Sequence, residues 1–237
     1  MTDVNLPAPP SGDDSNRNSN RLLGIAAAVV VLVGLALAVA IVLGRSTNGG
    51  DVVVVGDSNK GPAGTVVADG SVEQGTVTVT GEPLPEFGGS PDAAVGLVPP
   101  NLEGQNFAGQ PASITDDGTP KVVMFLAHWC PHCQLEVPRV QALLDENGMP
   151  TGVSLYAVPT GTVAERSNYP PSDWLVAAGW TVPVLVDDAD GTAASAWGLR
   201  SYPYFVAVAA AGTVVKRASG ELTAAQFYEL VDAARAG

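Results

Sequence analysis

The sequence predicts an α/β domain, a mixed sheet flanked by helices on both faces, preceded by a single transmembrane helix. Three observations carry this expectation. Leu22 to Leu43 is an unbroken apolar run, the chain from Ala94 onward alternates short apolar runs with helical stretches, and the last apolar runs pair as a hairpin before a closing amphipathic stretch. The order reads as βαβ followed by ββα, which joins a parallel pair with a right-handed crossover to an antiparallel pair.

Residues 1–21 are rich in Pro, Ser, Asn and Asp and too poor in apolar side chains to offset the entropy of folding, so a disordered cytoplasmic tail is expected. The run Leu22–Leu43 has no polar side chain. At about 1.5 Å per residue it is long enough to cross a hydrocarbon core about 30 Å thick. A core helix would have a solvent face, and this run has none. A cleaved signal peptide is the rival reading, because Ala36-Leu37-Ala38 and Ala38-Val39-Ala40 fit a small-x-small cleavage pattern. The run exceeds the usual apolar region of about 7–15 residues, so an uncleaved anchor is expected. Arg17 and Arg21 before the span and Arg45 after it give a slight positive-inside bias, with the tail in the cytoplasm and the rest of the chain outside. Residues 44–93 are punctuated by Gly and Pro and are expected to form a semi-flexible stalk. Within them the alternating Thr76-Val77-Thr78-Val79-Thr80 suits an edge strand or hairpin arm.

Residues 94–237 are expected to form the folded domain. Lys121 to Ala127 reads as a buried strand, Cys130 to Asn147 as a helix with Leu135, Val137, Val140, Leu143 and Leu144 apolar, and Gly152 to Val158 as a second strand. Pro170 to Gly179 suits a short inserted helix, Val182 to Val186 a further short strand, and Thr192 to Trp197 a helical turn or two ended by Gly198. Tyr204 to Val208 and Thr213 to Arg217 flank a turn at Ala211-Gly212, and Thr223 suits the N-cap of a closing helix carrying Phe227, Leu230 and Val231.

Formal net charge is −13, with 11 Lys+Arg against 24 Asp+Glu. No basic stripe is available to neutralise phosphates, so nucleic acid is not expected as a partner. The chain holds two cysteines, Cys130 and Cys133. A cross-link closing so short a loop removes little entropy from the unfolded chain, which makes the pair a poor staple and a better reagent. At the first turn of a helix, Cys130 meets unpaired N–H groups and the positive end of the dipole, which favour thiolate over thiol and mark it as the nucleophile. Cys133, one turn on, is placed to resolve a mixed disulfide. His132 between them can further stabilise the thiolate, or be a solvent-exposed spacer. Glu136, on one helical face with Cys133, can mediate its proton if burial raises its pKa, or be a solvated surface carboxylate. Zinc held by both cysteines with His128 and His132, an inert disulfide, and copper delivery are the competing readings of the same residues.

The run Trp129-Cys130-Pro131-His132-Cys133, continued through Glu136 and Pro138, resembles the Trp-Cys-x-x-Cys-x-x-Glu-x-Pro pattern of the membrane-anchored TlpA/ResA-like branch of the thioredoxin superfamily. The resemblance covers about Leu102 to the C-terminus and implies a thioredoxin-like fold. It implies a cis peptide bond at Tyr202-Pro203, with Pro203 beside the sulfurs and Tyr202 presenting its backbone to substrate. Trp129 and Pro131 would border the same surface. The weaker candidate, Pro183, is expected to be trans. Pro-His between the cysteines is similar to the oxidants of folding proteins in the bacterial envelope, whereas Glu136-x-Pro138 is similar to the reductant branch. Where thioredoxins carry a buried acid in the preceding strand, this chain has Met124. The resemblance thus implies a thiol:disulfide oxidoreductase, leaning oxidising, that acts on protein thiols or disulfides outside the cytoplasm. No cofactor or metal is implied, and the electron-exchange partner is not identified. The alternative is a non-catalytic module that uses the same scaffold to hold a partner protein or a copper ion.

Overall fold

The computed structural model describes residues 65–66 and 70–237. The expected tail, the transmembrane segment and the stalk before residue 65 lie outside the described residues, and among those described no helix is long and apolar enough to cross a membrane. The strands are β1 (Thr65–Val66), β2 (Val72–Gln74), β3 (Thr78–Thr80), β4 (Asn101–Gln105), β5 (Pro111–Ile114), β6 (Lys121–Leu126), β7 (Ser154–Pro159), β8 (Tyr204–Val208) and β9 (Val214–Ser219). The helices are α1 (Pro131–Asn147), α2 (Pro171–Ala177), α3 (Thr192–Ala196) and α4 (Ala224–Ala236).

A four-stranded sheet in the order β7-β6-β8-β9 holds the centre, with β6 and β7 parallel and the other two pairings antiparallel. This is the expected βαβ plus ββα arrangement. All six residues of β6 are buried because the strand has a core on each side. Val122, Met124 and Leu126 face one core with Val137, Val140 and Leu144 of α1 and Phe227, Leu230 and Val231 of α4. Val123 and Phe125 face the other, with Leu102, Ile114, Trp197 and the alanines of α3.

The second face differs from the expectation of helices on both sides, because much of its cover is a three-stranded antiparallel sheet, β3-β4-β5. Its β4–β5 hairpin turns at Asn106, whose carboxamide oxygen accepts from the Ala108 and Gln110 N–H groups. The hairpin's sequences carry little apolar alternation, since only Leu102 and Ile114 reach the core. The expected strand at Val182–Val186 is reduced to single bridges, Val184 to Ala157 and Val186 to Gln105. Pro183 has no N–H for a longer ladder, although its carbonyl still accepts from Ala157.

The stretch assigned to a stalk also differs where it is described. Val72, Glu73, Val77 and Leu84 are buried, Leu84 N–H donates to Ala196 O (2.9 Å), and Phe87 N–H donates to Gly198 O (2.9 Å). The packed unit therefore begins before Ala94. Apart from Thr76–Thr80, whose expected edge strand is β3, its apolar residues are too sparse to form a periodic signal, and its polar anchors lie far away in sequence. Asp92 pairs with the fully buried Arg217 of β9, which also donates to Pro85 O and the Tyr204 hydroxyl.

Candidate active site

β6 ends at Leu126 and α1 begins at Pro131, so Cys130 and Cys133 lie where the central strand hands over to the helix. Cys130 is the N-cap residue in an extended conformation, and Pro131 occupies the first helical position, where a missing N–H does least harm. The Cys130 side chain makes no capping hydrogen bond, and both cysteines are free thiols. Cys133 is fully buried, and its sulfur accepts from the Ala127 N–H at 3.5 Å. Burial drives its pKa far above the ordinary thiol range, reinforced by the neighbouring Cys130 and Glu136. The helix continues through Pro138 and stops at Gly148, whose φ of 76° is in the left-handed region and whose N–H caps Leu144 O.

Glu136 is completely buried one turn after Cys133. The solvated-surface alternative for this residue is therefore set aside. Its Oε2 accepts from Arg139 Nη1 (2.6 Å) and its Oε1 from the Leu222 N–H (3.1 Å). Burial raises its pKa, against the opposing pull of the Leu222 N–H and of Arg139. His132 is exposed, and its Nδ1 lies 2.8 Å from Glu221 Oε1. Met124, where thioredoxins carry an acid, is buried in β6.

Tyr202-Pro203 is cis, as the resemblance implies, and Val182-Pro183 is not among the cis bonds of the described residues. Pro203 is buried, while Tyr202 packs against the core that contains both cysteines and stands edge-on to Trp129, with ring centroids 5.7 Å apart. Trp129 donates through Nε1 to Gly161 O (2.7 Å), and the Arg166 guanidinium lies over its ring at 4.6 Å. Gly161 has φ of 59°, and a Cβ there would meet the Tyr202 hydroxyl at 2.9 Å, so both backbone and space call for glycine. Pro131 is exposed beside this surface. The structure thus brings Trp129, Cys130, Cys133 and Tyr202 together, with Glu136 behind them and His132 on the outside.

Several interactions of this region carry no signal in the sequence. His128 is buried with both ring nitrogens engaged, Nδ1 with Ser167 O (2.7 Å) and Nε2 with the Val163 N–H (3.1 Å). Neither nitrogen is open to a metal. Among the described residues, no group of three or more His, Cys, Asp and Glu is arranged to hold a metal ion. Asp187 is buried and accepts from the N–H groups of Asp188, Ala193 and Ala194. Thr160, also buried, is near both its carboxylate and the Tyr202 side chain, and its hydroxyl has no hydrogen-bond partner among the described residues. In the sequence Asp187 sits in Val-Asp-Asp-Ala-Asp-Gly, which reads as a turn and gives no hint of burial.

Residues 95–222 match the profile of the AhpC/TSA family. No curated protein matches the chain. Among solved structures, similarity extends to StoA from Bacillus subtilis, at 24% identity over 56% of this chain and 98% of that one, with a TM-score of 0.47. A DsbF homologue from Corynebacterium diphtheriae is 18% identical over 63% of this chain and 98% of its own, with a TM-score of 0.49. A secreted Mycobacterium tuberculosis disulfide oxidoreductase homologous to E. coli DsbE is 20% identical over 55% and 94%, with a TM-score of 0.46.

Proposed function

The chain belongs to the AhpC/TSA family, a thioredoxin-like family, and from that premise we propose that it is a thiol:disulfide oxidoreductase working through Cys130 and Cys133. The observation that carries this reading is the unequal placement of the two thiols. Cys130 caps a helix N-terminus, makes no capping hydrogen bond and keeps 7% of its surface exposed, whereas Cys133 is fully buried beside a buried carboxylate. The Cys130 thiolate attacks a substrate disulfide, forming a mixed disulfide and releasing one substrate thiolate. Cys133 then gives its proton to Glu136 and attacks the Cys130 sulfur, so that the Cys130–Cys133 bond forms and the second substrate thiolate leaves. Two electrons pass from the pair to the substrate, and the same steps run backwards when a substrate dithiol is oxidised. Glu136 suits this part because burial has brought its carboxyl nearer to neutrality while Cys133 cannot ionise unaided.

The surface formed by Trp129, Pro131 and the Tyr202-Pro203 backbone is the place for the substrate chain. The apolar run Leu22–Leu43, with Arg17 and Arg21 before it, supports a single membrane span with the domain outside the cytoplasm, where protein thiols and disulfides are the substrates. The test is turnover of insulin disulfides by the full-length chain. A rate abolished by Cys130→Ser is expected, and a rate indifferent to that substitution would leave a non-catalytic binding module. We also place the reduction potential between about −270 mV, typical of thioredoxin, and about −120 mV, typical of the strongest envelope oxidant, because stabilising the thiolate makes the disulfide a stronger oxidant. His132→Gly is expected to lower the potential in glutathione equilibration, and an unchanged value would make His132 a spacer.

A further inference from the structure

Cys133 and Glu136 share a buried helix face, and the charged groups around Glu136 come from two places. Arg139 belongs to the same helix, and Glu221 belongs to the loop between β9 and α4. They form one chain of contacts. Arg139 Nη1 reaches Glu136 Oε2 at 2.6 Å, Arg139 Nη2 reaches Glu221 Oε2 at 3.0 Å, and Glu221 Oε1 lies 2.8 Å from His132 Nδ1. Leu222, next to Glu221, closes the loop by donating its N–H to Glu136 and accepting from Arg139 through its carbonyl. Both arms of the guanidinium are thus fixed, one on each carboxylate, which is the geometry its planar fork favours.

We propose that Arg139 and Glu221 are positioning residues of the redox centre: Glu221 steers Arg139 onto Glu136 and so keeps that buried carboxylate ionised to accept the Cys133 proton. The inference rests on the reading of Glu136 as that acceptor. A buried carboxylate without a cation would hold its own proton and could take none from Cys133. Arg139 supplies the cation from a position that is itself 39% exposed, where an unheld arginine would be free to turn to solvent. Glu221 removes that freedom. Its negative charge acts directly on Glu136 in the opposite sense, favouring the proton, so the two effects of Glu221 make opposite predictions. The groups facing Glu136 are Cys133 and Arg139 from α1 and Glu221 from the β9–α4 loop, with His132 beyond Glu221.

The test is the pH profile of the resolving step in the full-length chain, measured as the decay of a mixed disulfide between Cys130 and a small aromatic thiol. Arg139→Met is expected to move the acidic limb of the profile to higher pH and slow resolution about tenfold near neutrality, equivalent to a shift of about one pH unit. Arg139→Lys should restore much of the limb, since it returns the charge without the fork. Glu221→Gln should move the limb in the same direction by a smaller amount. A limb moved to lower pH in Glu221→Gln would show that its charge outweighs its steering and overturn its role. An unchanged limb in Arg139→Met would overturn the proposal for Arg139, and Glu221→Gln remains informative should Arg139→Met fail to fold. Failure of the underlying reading is distinguishable, because Glu136→Gln would then leave the wild-type profile unchanged as well.

Discussion

His128 commits both ring nitrogens to main-chain groups, one as donor to Ser167 and one as acceptor from Val163, and so holds the residue 161–168 loop against the strand end that carries Trp129. Burial keeps it below the usual imidazole range, and Arg166 adds to the effect. Its folded pKa is depressed, so its stabilisation is complete above the unfolded value of about 6.5 and is lost as pH falls toward the folded value. Glu136 and Asp187 have raised values and act in the opposite sense, their stabilisation being lost as pH rises. Urea unfolding of the native chain and of His128→Gln between about pH 7.5 and 5 therefore isolates the histidine, because the two carboxyls cancel in the difference. The native chain is expected to lose stability on acidification relative to the variant, and a flat difference would contradict the assignment. At this scale the two cysteines are legible from spacing alone. Asp187, Thr160 and His128's clamp are not, because burial and partner are properties of the folded chain.

Among the elements, β6 and α1 declare themselves in the sequence. A strand apolar from Val122 to Leu126 needs two cores, and α1 places Cys133, Glu136, Val137, Val140 and Leu144 along one face. α4 is equally plain, since Thr223 and Gln226 form a reciprocal capping box. The β4–β5 hairpin escapes a sequence reading because its strands are short and mostly exposed or half-exposed, with few apolar side chains to alternate. The segment from Val72 to Asp92 escapes it for another reason. Its strongest anchor is the Arg217–Asp92 pair, which joins residues 125 apart in sequence. Arg217's side chain is fully buried, so Asp92→Ala leaves an uncompensated cation and is expected to cost about 3–5 kcal/mol in urea unfolding. A loss below about 1 kcal/mol, the range of exposed pairs, would return this segment to the status of a loosely attached stalk.

Across the whole described unit, two cores meet on the central sheet; Cys130 and Cys133 lie in one of them at the strand–helix corner, with Glu136 behind them and the 161–168 loop held by His128 and Trp129. Family membership follows from the chain over residues 95–222. The central claim is that Cys130 attacks and Cys133 resolves. It is tested most directly by trapping mixed disulfides in cells producing the full-length chain, separated on diagonal gels with and without reductant. Cys133→Ser is expected to accumulate adducts through Cys130, because attack survives while resolution is lost. Adducts formed by Cys130→Ser and absent from Cys133→Ser would contradict it.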